Sequence, residues 1–334
     1  MRGGPGLAGP AATGPFPTTL GPLLAARVRP ATLRRYQVVI HRFLAWYFTL
    51  GWTIHGSIVN EEQLDDSLAL YAHAMAAARL SSDGVVRGGR SEFGTLLSAV
   101  RFSLPRVRSL AVSAQTYRGW AMLVKPTHKT PLLWVFTLAL AKAAVEAGEG
   151  RAAAAFLLQF GSFCRPGELL ALRCGDCTLP EHSPPFARAP ACTLVLGGPC
   201  GTKVNRKQVA RVENPWCIAA LRTLLAGRSP GDPVVGLDHA RYAAALKRAL
   251  QRTGLHASGV PFSPHSFRAG AATQARLDGW PVPRILDAGR WASERSLRIY
   301  LDVAMALASR TLAWAQPFLA LVDRPWLVGP IFLQ

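Results

Sequence analysis

A chain of 334 residues with 50% hydrophobic content is long and apolar enough to bury two cores, which excludes an intrinsically disordered protein. Its 38 Lys and Arg stand against 19 Asp and Glu, a formal charge of +19 with a pI near 10.8. Such a field suits a polyanionic partner, and a GC-rich genome that favours Arg and Ala is the competing source of the bias.

In chain order, residues 1–30 are expected to form a flexible tail, rich in Gly, Pro, Ala and Thr up to Leu20 and without helical periodicity. No acidic residue precedes Glu61, a feature that suits an organelle transit peptide or a DNA-facing arm. From residue 31 to 50, Leu33, Tyr36, Ile40, Phe43, Leu44 and Tyr47 recur at helical spacing behind a Thr32 cap. The opposite face of that amphipathic helix carries Arg34, Arg35, His41 and Arg42, which is a solvated face by default and a phosphate-contacting face if the protein holds DNA. A second helix is expected to start at Asn60, with Glu61 and Glu62 in its first turn and Leu64, Leu68, Tyr71 and Met75 turned inward. Two more cover 91–103 and 113–124, so the N-terminal third reads as a helical bundle over 31–125.

The segment KPTHKT, 125–130, reads as a connector to a second domain over 131–334. Leu132 to Val145 is the most apolar run, but it is short and contains Lys142, so it predicts a buried helix and no membrane span. Helices are expected over 131–147 and 151–160. Cys174 and Cys177 have CxxC spacing, yet a zinc site would want a second such pair and His182 is the only nearby candidate, so no metal is assigned. Six cysteines with no secretory signal read as reduced intracellular thiols. Residues 192–197 and 207–212 predict two short strands joined by a Gly-rich turn, and helices are expected at 215–226 and 239–253.

The chemistry concentrates between Ser263 and Leu301. Ser263 and Pro264 read as cap and first-turn residue of a helix that puts His265 and Arg268 on one face of its first turn. A helix N-terminus, an Arg fork and a His that donates or carries a proton suit a phosphate. Taken singly, His265 and Arg268 read as surface residues, and Trp291 and Tyr300 as packing aromatics. Arg165, after the apolar run 152–160, needs an anion, which could be Glu168 or a substrate phosphate.

Together, CRPGELLALRCGDC with Arg165 and Glu168, PHSFRAGAAT with His265 and Arg268, and AGRWASERSLRIYL with Trp291 and Tyr300 resemble the three sequence boxes of the tyrosine recombinases, the phage integrase superfamily. Trp291 makes the likeness nearer to Cre-like members than to those with His at that position. The resemblance covers about 31 to 305, strong in the boxes and loose elsewhere. It implies a mainly α fold with a small antiparallel β-sheet, made of an N-terminal helical core-binding (SAM-like) domain and a mixed α/β catalytic domain with a C-terminal helix. The two domains would close around double-stranded DNA as a clamp, and a homo-tetramer would assemble on two sites. Tyr300 would be the nucleophile, forming a 3′-phosphotyrosyl bond, with Arg165 and Arg268 clamping the phosphate, His265 and Trp291 adding hydrogen bonds, and Glu168 supporting Arg165. Lys203 in the hairpin turn would be the general acid, with Lys207 as second choice because Pro199 interrupts the turn. No metal, ATP or other cofactor would be needed, and the protein would work at DNA, in cytoplasm or nucleoid, or in a nucleus. The segment 303–334, with Leu307, Leu312, Trp314, Phe318 and Leu319, could dock on a neighbouring protomer or on its own domain. The alternatives are an inactive DNA-binding relative derived from a mobile element and a type IB topoisomerase.

Overall fold

Helical periodicity dominates the chain, and the computed structural model accordingly builds two helical units, Met1–Thr127 and His128–Gln334. It describes residues 27–51, 60–82, 85–124, 130–182, 191–197, 207–294, 297–298, 301 and 315–321.

The first unit contains α1 (Pro30–Thr49), α2 (Glu61–Ala77), α3 (Arg90–Ser103) and α4 (Ala111–Leu123). Their apolar stripes meet in one core around Phe43, Leu68, Phe93, Leu96, Val100 and Trp120. Asn60 caps α2 by accepting the N–H groups of Glu62 and Gln63 at 3.0 and 3.3 Å. Thr32, by contrast, caps nothing: α1 starts earlier, with Pro30 at its first position and no side-chain cap. Asp65 is a buried acid inside α2 whose two oxygens each accept a backbone N–H at the start of α4, from Val112 and Ser113 at 2.8 Å. The orphan donors of one helix thus satisfy the carboxylate of another.

The second unit is built around α5 (Trp134–Glu146) and α6 (Gly150–Gly161). Both are buried along nearly their whole length, which their runs of Ala, Leu and Phe allow. Residues 131–133, expected as the first turn of α5, stay extended because the Leu132 N–H donates to the Ser266 carbonyl at 2.9 Å. A short helix α7 (Pro166–Leu170) follows. Then comes a three-stranded antiparallel sheet, β1 (Cys177–Thr178), β2 (Cys192–Leu196) and β3 (Gln208–Val212), in the order β1-β2-β3. In β2, Cys192, Leu194 and Leu196 alternate into the core, the period expected of a half-buried strand. β1 was not expected from the sequence; two residues are too few to show a period.

Helices α8 (Pro215–Leu225), α9 (His239–Arg252), α10 (His265–Leu277) and α11 (Val282–Gly289) complete the unit. Gly270 lets α10 lie against the extended 130–133 segment, where any side chain would collide with the Leu132 carbonyl. A small second core joins Phe160, Phe163, Ala271, Ala272, Ala275 and Ile285 to Leu297 and Leu301. Near the end of the chain, Gln316–Leu321 forms a single 3-10 element. Phe318 packs edge-on against Phe136 of α5 at 6.3 Å, so that residue is spent on its own unit and not on a neighbour; Leu307, Leu312 and Trp314 lie outside the described residues. No described helix is long and apolar enough to cross a membrane.

Candidate active site

Pro166 occupies the first position of α7 and holds Arg165 in an extended conformation just before it. Three residues on, Glu168 folds back: one oxygen accepts the Arg165 N–H at 2.9 Å and the other the guanidinium Nη1 at 2.5 Å. The Arg165 side chain remains 32% exposed, so part of it reaches solvent from a fixed base, whereas Glu168 is 8% exposed.

Arg268, on α10, is a buried cation. Its Nη1 donates to the Phe163 carbonyl and its Nη2 to the Gly289 carbonyl, both at 2.5 Å, and its Cζ sits 4.2 Å from the Trp291 ring centre. Gly289 makes this stack feasible, because a side chain there would run into that ring. Burial, and after it the charges of Arg165 and Arg290, push the Arg268 pKa down to about 10, which leaves it protonated at neutral pH.

A third guanidinium, that of Arg290, joins the cluster. Its side chain is 6% exposed; Nη2 reaches the second oxygen of Glu168 at 3.3 Å and the Phe163 carbonyl at 3.3 Å. For Glu168, burial raises the carboxyl, but hydrogen bonds from Arg165 and the charges of Arg165 and Arg290 outweigh it, and the net shift is downward. Two guanidiniums therefore hold one carboxylate, and the buried Arg268 beside them feels the charge of all three, so the corner carries an excess of positive charge that favours an anion.

Backbone strain collects in the same place. Among the described residues, Phe163 and Arg290 are the non-glycine positions with positive φ, at 53° and 55°, and they touch through the Arg290–Phe163 hydrogen bond. Each left-handed conformation costs on the order of 1 kcal/mol. At Phe163 it turns one carbonyl toward both Arg268 and Arg290.

His265 is exposed as the first residue of α10. The expected Ser263 cap is reversed: the Ser263 N–H donates to Ser266 Oγ at 3.0 Å, and the Ser263 hydroxyl is buried with no partner. What fixes the entry to α10 is Gln159 of α6, wholly buried, whose amide donates to the carbonyls of Pro264 at 2.7 Å and Cys164 at 3.3 Å and accepts from Tyr242 Oη at 2.5 Å. One side chain thereby ties the His265 turn to the Arg165 turn.

Of the residues singled out by sequence, Arg165, Glu168, Arg268 and Trp291 come together in this corner. Lys203 and Tyr300 lie outside the described residues; Lys207 is exposed just before β3, and Leu297 and Leu301, flanking Tyr300, are buried. In the first unit Arg34 and Arg35 are exposed, and Arg35 lines a cleft of about 680 Å³ with Arg101 and Arg118. Arg42 is already paired with Glu92 at 2.7 Å, so a phosphate would have to compete for it. Gln159 and Arg290 were missed: a Gln inside an apolar helix gives no sign of its partners, but an Arg at the left-handed position after α11, where Gly is usual, is a signal in retrospect. Among the described residues no group of three or more His, Cys, Asp or Glu is placed to hold a metal ion.

No protein-family model and no curated protein sequence matches the chain. Solved structures do. A lambda integrase dimer bound to a COC′ core site matches with a TM-score of 0.55 at 14% identity, covering 84% of this chain and 74% of that one. The Tn1549 transposon integrase in complex with transposon right end DNA matches at 0.55 and 12% identity, covering 87% and 98%. XerH site-specific recombinase bound to a palindromic difH substrate, a post-cleavage complex, matches at 0.53 and 14%, covering 84% and 79%. The fold is therefore that of the tyrosine recombinases, mainly α with one small antiparallel sheet.

Proposed function

We propose that this protein breaks and rejoins double-stranded DNA as a site-specific tyrosine recombinase or integrase. The observation that carries the reading is the cluster of the buried Arg268 and Arg290 with the solvent-reaching Arg165 beside the single buried carboxylate of Glu168, a site with charge in excess that suits a phosphodiester. The DNA-bound proteins that share the fold, and the net charge of +19, support it.

In this reading the Tyr300 oxygen attacks the scissile phosphorus, the bond from phosphorus to O5′ breaks, and a 3′-phosphotyrosyl ester and a 5′-hydroxyl result. The phenol proton passes to His265, and Lys203 protonates the departing O5′. Arg165 and Arg268 hold the two non-bridging oxygens as charge grows on them, each such donor contributing on the order of 100-fold in rate. Trp291 supports Arg268 by stacking and adds its indole N–H. The ester stores the energy of the broken bond, so rejoining is the reverse attack by a 5′-hydroxyl, without ATP or metal. Arg34 and Arg35 contact the DNA backbone, a homo-tetramer brings two sites together, and the protein acts wherever its DNA lies, as expected of a mobile-element enzyme.

The test is covalent capture. Full-length protein is mixed with nicked duplexes tiled over the DNA that flanks its gene, where the nick lets the 5′-hydroxyl fragment diffuse away. An adduct that survives denaturation and disappears in Tyr300→Phe is the expected result. DNA binding without adduct would leave only a binding module, and relaxation of any supercoiled plasmid at low protein-to-DNA ratio, without recombinants, would make the protein a topoisomerase. Lys203→Ala should slow adduct formation and be rescued by a 5′-phosphorothiolate leaving group; rescue of Lys207→Ala instead would move the general acid to that residue.

A further inference from the structure

We propose that Arg290 is a positioning residue for the cleavage step, acting through Glu168 to hold Arg165 in place against the phosphate. The inference rests on the DNA-cleaving function proposed above.

Among the described residues, Glu168 is what links the two guanidiniums. Its Oε1 accepts from Arg165 Nη1 at 2.5 Å, while its Oε2 accepts the Arg165 N–H at 2.9 Å and Arg290 Nη2 at 3.3 Å. Arg165 reaches solvent and would sit where substrate arrives; Arg290 does not. Its fork is committed inward, with Nη1 donating to the carbonyls of Ser162 and Ala288 at 3.3 and 3.1 Å, and Nη2 also meeting the Phe163 carbonyl and Cys164 Sγ at 3.3 and 3.7 Å. A side chain 6% exposed and bonded to three separate segments cannot follow a phosphate, but it can immobilise the carboxylate that one phosphate ligand leans on.

Helix capping does not account for the residue. At the left-handed position after α11 a glycine would adopt the observed φ of 55° without strain, so an Arg is kept there at a cost in backbone energy and in repulsion of Arg268. Packing does not account for it either, because a neutral side chain would fill the same corner without adding a third positive charge.

The experiment uses full-length protein and the nicked duplex that captures the wild-type adduct, at saturating DNA. Arg290→Lys and Arg290→Met should each form adduct roughly 10- to 100-fold more slowly, with DNA affinity within about twofold of wild type. The double variant Arg165→Met/Arg290→Met should be no slower than Arg165→Met alone, since Arg290 acts through Arg165. Rates are read below the melting temperature of every variant, and Arg290→Lys, which keeps the charge, serves if Arg290→Met does not fold. Wild-type rates in the Lys and Met variants, losses that multiply in the double variant, or a wild-type rate in Arg290→Gly would each overturn the proposal while leaving DNA cleavage standing. Absence of any wild-type adduct would remove the DNA-cleaving function, and this role with it.

Discussion

Glu92 in the first unit and Glu168 in the second are each held between two guanidiniums. In the first unit Glu92 accepts from Arg42 at 2.7 Å and Arg79 at 2.9 Å; in the second, Glu168 lies between Arg165 at 2.5 Å and Arg290 at 3.3 Å. The chemistry and the distances are alike, and burial is not. Glu92 is 25% exposed and Arg42 62%, against 8% for Glu168 and 6% for Arg290. Water screens the first trio, so each of its pairs contributes about 0–1 kcal/mol. In the second, Glu168 and Arg290 are stripped of water and must be matched, and removing one leaves the other uncompensated. The same three side chains make a surface staple in one place and a polarised site in the other.

The largest effect expected from this contrast is that of Glu168→Gln. It should destabilise the second unit by about 3 kcal/mol, read from chemical denaturation, and slow adduct formation. If its cost matched that of an exposed pair, the contrast would fail. A smaller effect follows from pH. The folded-state pKa of Glu168 lies below its ordinary value, so the ionised form contributes stability that is complete above the unfolded carboxylate pKa of about 4.3 and is lost as pH falls through the lower folded value. Melting temperature in that acid range should fall more steeply for the wild type than for Glu168→Gln; parallel curves would show that Glu168 is not held ionised by its neighbours. The smallest effect belongs to Glu92→Gln, expected to change stability by less than about 1 kcal/mol and to lose most of even that in high salt.

How far the sequence anticipated the fold and the corner around Glu168 depended on how local each cause was. The stripe of α1, the Asn60 cap of α2 and the alternation in β2 arise from neighbours within a few residues, and each was readable. The Arg165–Glu168 contact spans three positions and a proline, again local. Ser263 misled because a serine before Pro264 fits a cap, yet the tertiary demand for Gln159 on the Pro264 carbonyl set the turn instead. The extended 131–133 segment was taken for helix because its pairing partner, Ser266, is far along the chain. Arg290 was passed over because nothing near it in sequence reveals the carbonyls of Ser162 and Phe163 that it meets. Arg42 looked free for DNA because Glu92 lies on another helix.

The Phe163 carbonyl has one more consequence, which concerns time. It is met by Arg268 from 105 positions along the chain and by Arg290 from 127. Contacts so distant require large loops to close. Arg165 and Glu168 are synthesised and can pair early, but the guanidiniums that complete the corner arrive only when α10 and the residues after α11 have docked. The corner is therefore complete only when segments more than a hundred positions apart in the chain have packed together.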